Sequence, residues 1–100
     1  MKPSSAKAKG RNFQNKVREM IMDKLGINEH DIKTAVMGES GMDIILSKSG
    51  RDTFPFAVEC KKVERINIWK CYEQACENSD DLKPLLVFGK NHSKVMVCFE

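Results

Sequence analysis

Two runs rich in strand-forming residues, 42–47 and 54–62, lie on either side of the short polar segment 48–52. Isoleucine, valine and phenylalanine favour strands, whereas serine, glycine and aspartate favour turns. Two such runs joined by a short turn segment are typical of a β-hairpin. The sequence therefore predicts a hairpin, and with it a β-sheet, in the middle of the chain.

Helices are predicted on both sides of this hairpin. From about Asn12 to Leu25 apolar residues recur at helical spacing, and Gly26 supplies a stop. A second helix is predicted over about Ile66–Asn78. We expect one face of that helix to enter the core, with Trp69 among its buried residues; the face comprises Ile68, Trp69, Tyr72, Ala75 and Cys76.

Further strands complete the pattern. Residues 32–37 are predicted as a short edge strand, and 85–88 and 95–99 as two more strands joined by the polar segment 89–94. The order is one helix, two or three strands, a second helix and two strands. This order predicts an α/β fold with a central mixed sheet flanked by helices.

Length and composition place the chain in a broad class. One hundred residues, 41% of them hydrophobic, are typical of one folded domain. We expect residues 1–9 to form a flexible basic arm and residues 10–100 to form the domain. No apolar run approaches the roughly 18–20 residues of a membrane span, and no secretory signal is apparent, so a cytoplasmic location is expected. The four cysteines lack metal-ligand spacing, so a zinc site is not predicted.

The charge is unevenly distributed along the chain. Residues 1–18 carry six bases and no acid, and residues 19–81 carry eight bases against thirteen acids. Residues 82–100 add three bases and one acid. Basic ends around an acidic middle suit a metal-dependent enzyme that acts on a polyanion, because the bases can hold phosphates and the acids a cation. Ordinary surface charge is the alternative.

The candidate chemistry lies in the predicted hairpin. Asp43 stands near the start of the first strand, and Glu59-Cys60-Lys61 lie in the second. Because side chains alternate along a strand, Glu59 and Lys61 share one face, and pairing of the strands brings Asp43 close to Glu59. Two converging carboxylates suit Mg²⁺ or Mn²⁺, with the backbone carbonyl of Cys60 as a further ligand. The alternative is two solvent-facing acids with Lys61 as an ion-pair partner.

Residues 41–45 (GMDII) and 56–62 (FAVECKK) resemble the core of the PD-(D/E)XK nuclease superfamily, although Met42 stands where the family pattern has proline. Lys9-Gly10, the run 63–69 (VERINIW) and Glu73-Gln74-Ala75 resemble phage-encoded and archaeal-type Holliday-junction-resolvase-like proteins. The resemblance covers nearly the whole chain. It implies a restriction-endonuclease-like αβββαβ core and a Mg²⁺- or Mn²⁺-dependent DNA endonuclease. It also implies branched DNA as the substrate and a homodimer in the host cytoplasm.

The resemblance assigns roles to particular residues. Asp43, Glu59 and Lys61 would be catalytic, and metal would be held by Asp43, Glu59 and the Cys60 carbonyl. Accessory candidates are Gln14 or, by its chemistry, Glu19 on the first helix, Ser40 before the first hairpin strand, and Gln74 on the second helix. The helical spacing turns Glu19 away from the core, favours Gln14, and gives Gln74 an exposed position. Ser40 is equally compatible with a plain turn.

Several basic residues are predicted to bind DNA. Those suited to contacts with DNA phosphates are Lys7, Lys9, Arg11, Lys62, Arg65, Lys90 and Lys94. The same scaffold without catalysis would be a nucleic-acid-binding module, which is the alternative function. A subunit whose basic ends dock on an acidic protein is a third class, and no motif supports it.

Overall fold

The chain folds around one five-stranded sheet in a computed structural model that describes residues 3–36 and 41–100, with side chains from Ala6 onward. A single 3₁₀ turn, Glu29–Asp31, precedes the first strand. Among the described residues, no helix combines the length and the apolar character needed to cross a membrane. The helices and strands are α1 Pro3–Leu25, β1 Ile32–Thr34, β2 Ile44–Leu46, α2 Lys48–Thr53, β3 Phe56–Lys62, α3 Ile68–Glu77, β4 Lys83–Gly89 and β5 Met96–Cys98.

The strands lie side by side in chain order, β1-β2-β3-β4-β5. β3 and β4 run parallel, and the other three neighbouring pairs run antiparallel. α3 forms the crossover between the two parallel strands. The predicted α/β class with a mixed sheet flanked by helices is confirmed.

The first helix is longer than predicted. It begins at Pro3, whereas the sequence pattern placed its start near Asn12, so residues 3–9 of the expected arm belong to α1. Alanine and lysine, which alternate over residues 6–9, are strong helix formers. The first α1 residue in the buried core is Phe13, which explains why no apolar periodicity marks the preceding turns.

The main core lies between α1 and one face of the sheet. Phe13, Val17 and Ile21 on α1 pack against strand residues that include Val58 and Cys60. Since neighbouring residues of a strand point to opposite faces, Glu59 lies on the other face, the side that α3 covers. This alternation separates the apolar core from the candidate site.

The predicted inner face of the second helix is wrong in part. Ala75 is buried, but Trp69 is 83% exposed, and Ile68 and Cys76 are also exposed. At 100° per residue, Trp69 lies about 120° around the helix from Ala75, and Cys76 lies about 100° from it. The face that meets the sheet is therefore centred on Ala75 and the half-buried Cys71 and Tyr72.

The two hairpin strands pair antiparallel as predicted, with Ile44 opposite Val58. Their connection is the short helix α2 and not a turn. Ser47 caps this helix, because its hydroxyl accepts a hydrogen bond from the Gly50 backbone N–H at 3.1 Å. Gly50 is also needed for space, since a Cβ atom there would lie 2.8 Å from the carbonyl oxygen of Asp31.

Candidate metal centre

Asp43 is held in place by the strands on either side of it. Its backbone carbonyl accepts a hydrogen bond from the Ala35 N–H at 2.9 Å, and its own N–H donates to the Val58 carbonyl at 3.0 Å. Its carboxylate crosses to β3, where Oδ2 accepts a hydrogen bond from the Cys60 N–H at 2.7 Å. The register of Ile44 opposite Val58 sets Asp43 across from Glu59.

Glu59 is a buried carboxylate in the middle of β3. The residue is only 5% exposed, and its Oε2 atom has no hydrogen-bond partner in the described part of the chain. Burial and, to a smaller extent, the nearby charge of Asp43 raise the pKa of Glu59 to about 7, although a hydrogen bond from Asn78 and the charge of Lys61 act in the opposite direction. Leaving a buried acceptor unpaired costs about 1–3 kcal/mol.

The pKa of Asp43 is also raised. Burial of the carboxylate is the main cause, and the Cys60 N–H and the positive charge of Lys61 act against it. Lys61 is half-buried and lies two residues beyond Glu59 in β3, so both side chains are on the same face of the strand. Two carboxylates that both hold protons more tightly than usual, with one ammonium group beside them, make a site that favours added positive charge.

These residues fit a magnesium- or manganese-type ion. Such an ion is commonly held by one or two protein carboxylates, with water and substrate phosphate oxygens as its other ligands. Asp43 and Glu59 supply two carboxylates, and the unpaired Oε2 atom of Glu59 supplies a free acceptor. In residues 3–36 and 41–100 no group of three or more His, Cys, Asp or Glu side chains is assembled for a metal, so further ligands would be backbone oxygen, water or phosphate.

Cys60 offers its backbone and not its thiol. The side chain is buried in the α1 core, and burial raises the pKa of the thiol well above its usual value, with the two carboxylates adding to the increase. The thiol therefore stays protonated and is not a metal ligand. Its carbonyl, which follows Glu59 along the strand, is the group that could reach an ion.

Two of the accessory candidates, Gln14 and Glu19, lie on α1 and not on the side of the sheet that carries the two carboxylates. Gln14 is half-buried on α1, the helix that covers the opposite face of the sheet, and Glu19 is exposed as expected. Gln74 is exposed on α3. Ser40 lies outside the described residues.

One contact was missed by sequence reasoning. Asn78, the C-cap residue of α3, directs its side chain to Glu59. The sequence placed Asn78 at the end of the predicted helix. Nothing in the local pattern indicates that this end of α3 lies beside the middle of β3.

The predicted DNA-binding residues separate into two groups. Lys9 and Lys62 come together, because Lys9 Nζ lies 3.4 Å from Asn91 Oδ1 and both lysines line the same shallow pocket with Asn91. The remaining predicted residues are exposed: Lys7, Arg11, Arg65, Lys90 and Lys94. The first group forms a positively charged surface on the α1 side of the sheet.

Comparisons with known proteins do not assign the chain to a family. No protein-family model, no curated protein and no solved structure matches it. The functional argument therefore depends on the arrangement of Asp43, Glu59 and Lys61.

Proposed function

We propose that this protein is a Mg²⁺- or Mn²⁺-dependent DNA endonuclease of the PD-(D/E)XK type, with a restriction-endonuclease-like core. The observation that carries the proposal is the buried Glu59 carboxylate, whose Oε2 atom lacks a partner beside a second carboxylate, Asp43. An unpaired buried acid opposes folding, and a bound cation would remove that cost. A purely structural position would be filled more favourably by an apolar residue.

Each residue has a definite role in this proposal. Asp43 and Glu59 hold the ion, and the Cys60 carbonyl completes the protein ligands. When bound, the ion supplies a Lewis acid for a phosphodiester oxygen and lowers the pKa of a coordinated water. Lys61, beside both acids, orients the attacking water and stabilises negative charge that develops on the phosphate.

The substrate is proposed to be DNA, and branched DNA in particular. The lysines on the α1 side of the sheet supply contacts with backbone phosphates that do not depend on sequence. Symmetric cutting of two strands needs two sites, so the working form is proposed to be a homodimer with a two-fold axis. Cleavage of labelled four-way junctions, flaps, nicked and plain duplexes in Mg²⁺ and in Mn²⁺ tests the substrate, and light scattering after size exclusion tests the dimer.

The activity itself is tested with isosteric variants. Calorimetry with Mn²⁺ should show binding to the wild type and none to Glu59→Gln, and cleavage should be lost in Glu59→Gln and Asp43→Asn. Glu73→Gln, which changes an exposed acid on α3, is the matched control and should bind metal and cleave normally. Metal-dependent cleavage that survives in both site variants would overturn the assignment.

A non-catalytic nucleic-acid-binding module is the second candidate. The convergence of Lys9 and Lys62 beside Asn91 favours it, because this surface would bind phosphates without any metal. Salt-sensitive DNA binding by a protein that gives no heat with Mn²⁺ would support this candidate.

A further inference from the structure

A shallow pocket lies between α1, the end of β3 and the loop that joins β4 to β5. Its volume is about 210 Å³, and it is lined by Lys9, Asn12, Phe13, Lys16, Lys62 and Asn91. Every residue in this set except Phe13 carries a hydrogen-bond donor in its side chain. Three of them are lysines, so the pocket has the chemistry of an anion site.

Helix geometry explains why these residues meet. Lys9, Asn12 and Lys16 are three and four residues apart, so they lie on one face of α1. Lys7 and Arg11 lie about 160–200° around the helix from Lys9 and project elsewhere. The basic residues of α1 are therefore divided between two surfaces, and only one of these surfaces faces the end of β3.

The positive charge of the pocket is not neutralised by ion pairs. Across residues 3–36 and 41–100, the one contact within 4.0 Å between a basic and an acidic side chain joins His30 to Glu29, which lie outside this pocket. Lys62 Nζ lies 5.4 Å from the centre of the Phe13 ring, a cation–π arrangement that leaves its N–H groups free to donate.

Glu64 fixes the β4–β5 loop, which forms one wall of the pocket. Glu64 Oε2 accepts a hydrogen bond from the Asn91 backbone N–H at 2.7 Å, and the Asn91 side chain faces Lys9. Ser93 closes the turn, since its hydroxyl accepts from the Lys90 N–H at 2.9 Å. Glu64 therefore positions Asn91 but lowers the positive potential beside the pocket.

We infer that this pocket binds one phosphate of a nucleic-acid backbone, with Lys9, Lys16 and Lys62 as charge partners and Asn12 and Asn91 as neutral donors. The inference rests on the proposed function for the choice of DNA. Lys61 and Lys62 are adjacent in β3 and point to opposite faces, and Glu59 lies roughly 10 Å back along the strand. The pocket thus holds a different phosphate from the one at the carboxylates, and it acts in binding and not in the cleavage step.

The test measures DNA binding without cleavage, by fluorescence anisotropy of a labelled duplex in EDTA at several salt concentrations. Lys16→Gln and Lys62→Gln should each weaken binding about five-fold near 0.15 M salt and reduce the slope of log K against log salt by about 0.9. Lys24→Gln removes the same charge from an exposed site on the same helix and is the control. Glu64→Gln, which keeps an acceptor for Asn91, should tighten binding.

The outcomes separate this inference from the proposed activity. If Lys16→Gln and Lys62→Gln bind with the same affinity and salt slope as Lys24→Gln, the phosphate pocket is wrong, whatever the protein cleaves. If the two variants lose affinity as expected but the wild type cleaves nothing in Mg²⁺ or Mn²⁺, the pocket stands and the endonuclease proposal fails. Circular dichroism of each variant excludes misfolding as the cause of weak binding.

Discussion

The carboxylate of Asp43 accepts a 2.7 Å hydrogen bond from the backbone N–H of Cys60, one residue beyond Glu59 on the neighbouring strand. This bond occupies Oδ2 of Asp43 and fixes its side chain against β3. It holds Asp43 next to Glu59 although both carboxylates are disfavoured there by burial. Asp43 therefore has a structural role in addition to its proposed role as a metal ligand.

The two roles of Asp43 can be separated by two substitutions. Asp43→Asn keeps an oxygen acceptor for the Cys60 N–H and should change the free energy of unfolding by less than about 1 kcal/mol. Asp43→Ala leaves that N–H without a partner and should cost about 1–3 kcal/mol. Urea denaturation measures both, and calorimetry should show that both lose Mn²⁺ binding. Equal stability of the two variants would mean that the hydrogen bond contributes nothing to the fold.

The raised pKa of Glu59 predicts a specific pH dependence of stability. In the folded protein this pKa is about 7, above its ordinary value of 4.5, so folding favours the protonated acid. Its contribution is fully present below the unfolded value and is lost as the pH rises through about 7. In EDTA, Glu59→Gln should therefore gain stability relative to the wild type between pH 4 and pH 8, by at most about 3 kcal/mol.

Metal provides the control for that pH experiment. At pH 8, Mg²⁺ should raise the thermal midpoint of the wild type and leave that of Glu59→Gln unchanged, because only the folded wild type binds the ion. If the stability of the wild type and of Glu59→Gln changed in parallel with pH in EDTA, the burial of Glu59 would be contradicted.

Lys61 and Lys62 should have different kinetic roles, since they point to opposite faces of the sheet. Lys61→Gln removes a charge beside the carboxylates and should lower kcat by about 10²–10³-fold with little change in KM. Lys62→Gln should raise KM several-fold and leave kcat unchanged. Single-turnover cleavage with saturating enzyme distinguishes the two. The same kinetic defect in both variants would contradict the two-face arrangement.

Trp69 should report its exposure directly. At 83% exposed it should emit like a tryptophan in water and be quenched readily by iodide. Trp69→Ala should change the free energy of unfolding by no more than about 0.5 kcal/mol, because exposed side chains contribute little. Phe13→Ala, which empties a buried position on α1, should cost about 3–5 kcal/mol and is the comparison. A blue-shifted, protected Trp69 would contradict the observed face of α3.

Gly50 should tolerate no side chain. The Cβ of Gly50→Ala would lie 2.8 Å from the backbone carbonyl oxygen of Asp31, which cannot rotate away, so a loss of about 1–3 kcal/mol is expected in urea denaturation. Ser49→Ala, at the neighbouring exposed position of the same short helix, is the control and should be nearly neutral. Equal stability of the two variants would show that Gly50 and the Asp31 carbonyl oxygen do not approach each other this closely in solution.

Local patterns in the sequence were sufficient for most of the fold. Apolar spacing predicted the helix α1, whose apolar residues Phe13, Val17 and Ile21 do lie in the core, and runs of strand formers located all five strands within a few residues. Local pattern did not predict the start of α1 or the exposure of Trp69, because both depend on how the helices pack. The start of α1 carries no apolar signal, and Trp69 has a side chain typical of a core but a position on α3 that faces solvent.

The groups in the candidate site follow from the sequence, because strand alternation sets Glu59 and Lys61 on one face and the hairpin brings Asp43 to them. The chemical state of these groups depends on tertiary packing. Burial under the end of α3 raises the pKa of Glu59 and leaves its Oε2 atom unpaired, and this burial depends on how the crossover helix packs on the sheet. The proposed phosphate pocket also depends on tertiary packing, since Lys16 and Lys62 are 46 positions apart in the chain and meet only when α1 packs on β3.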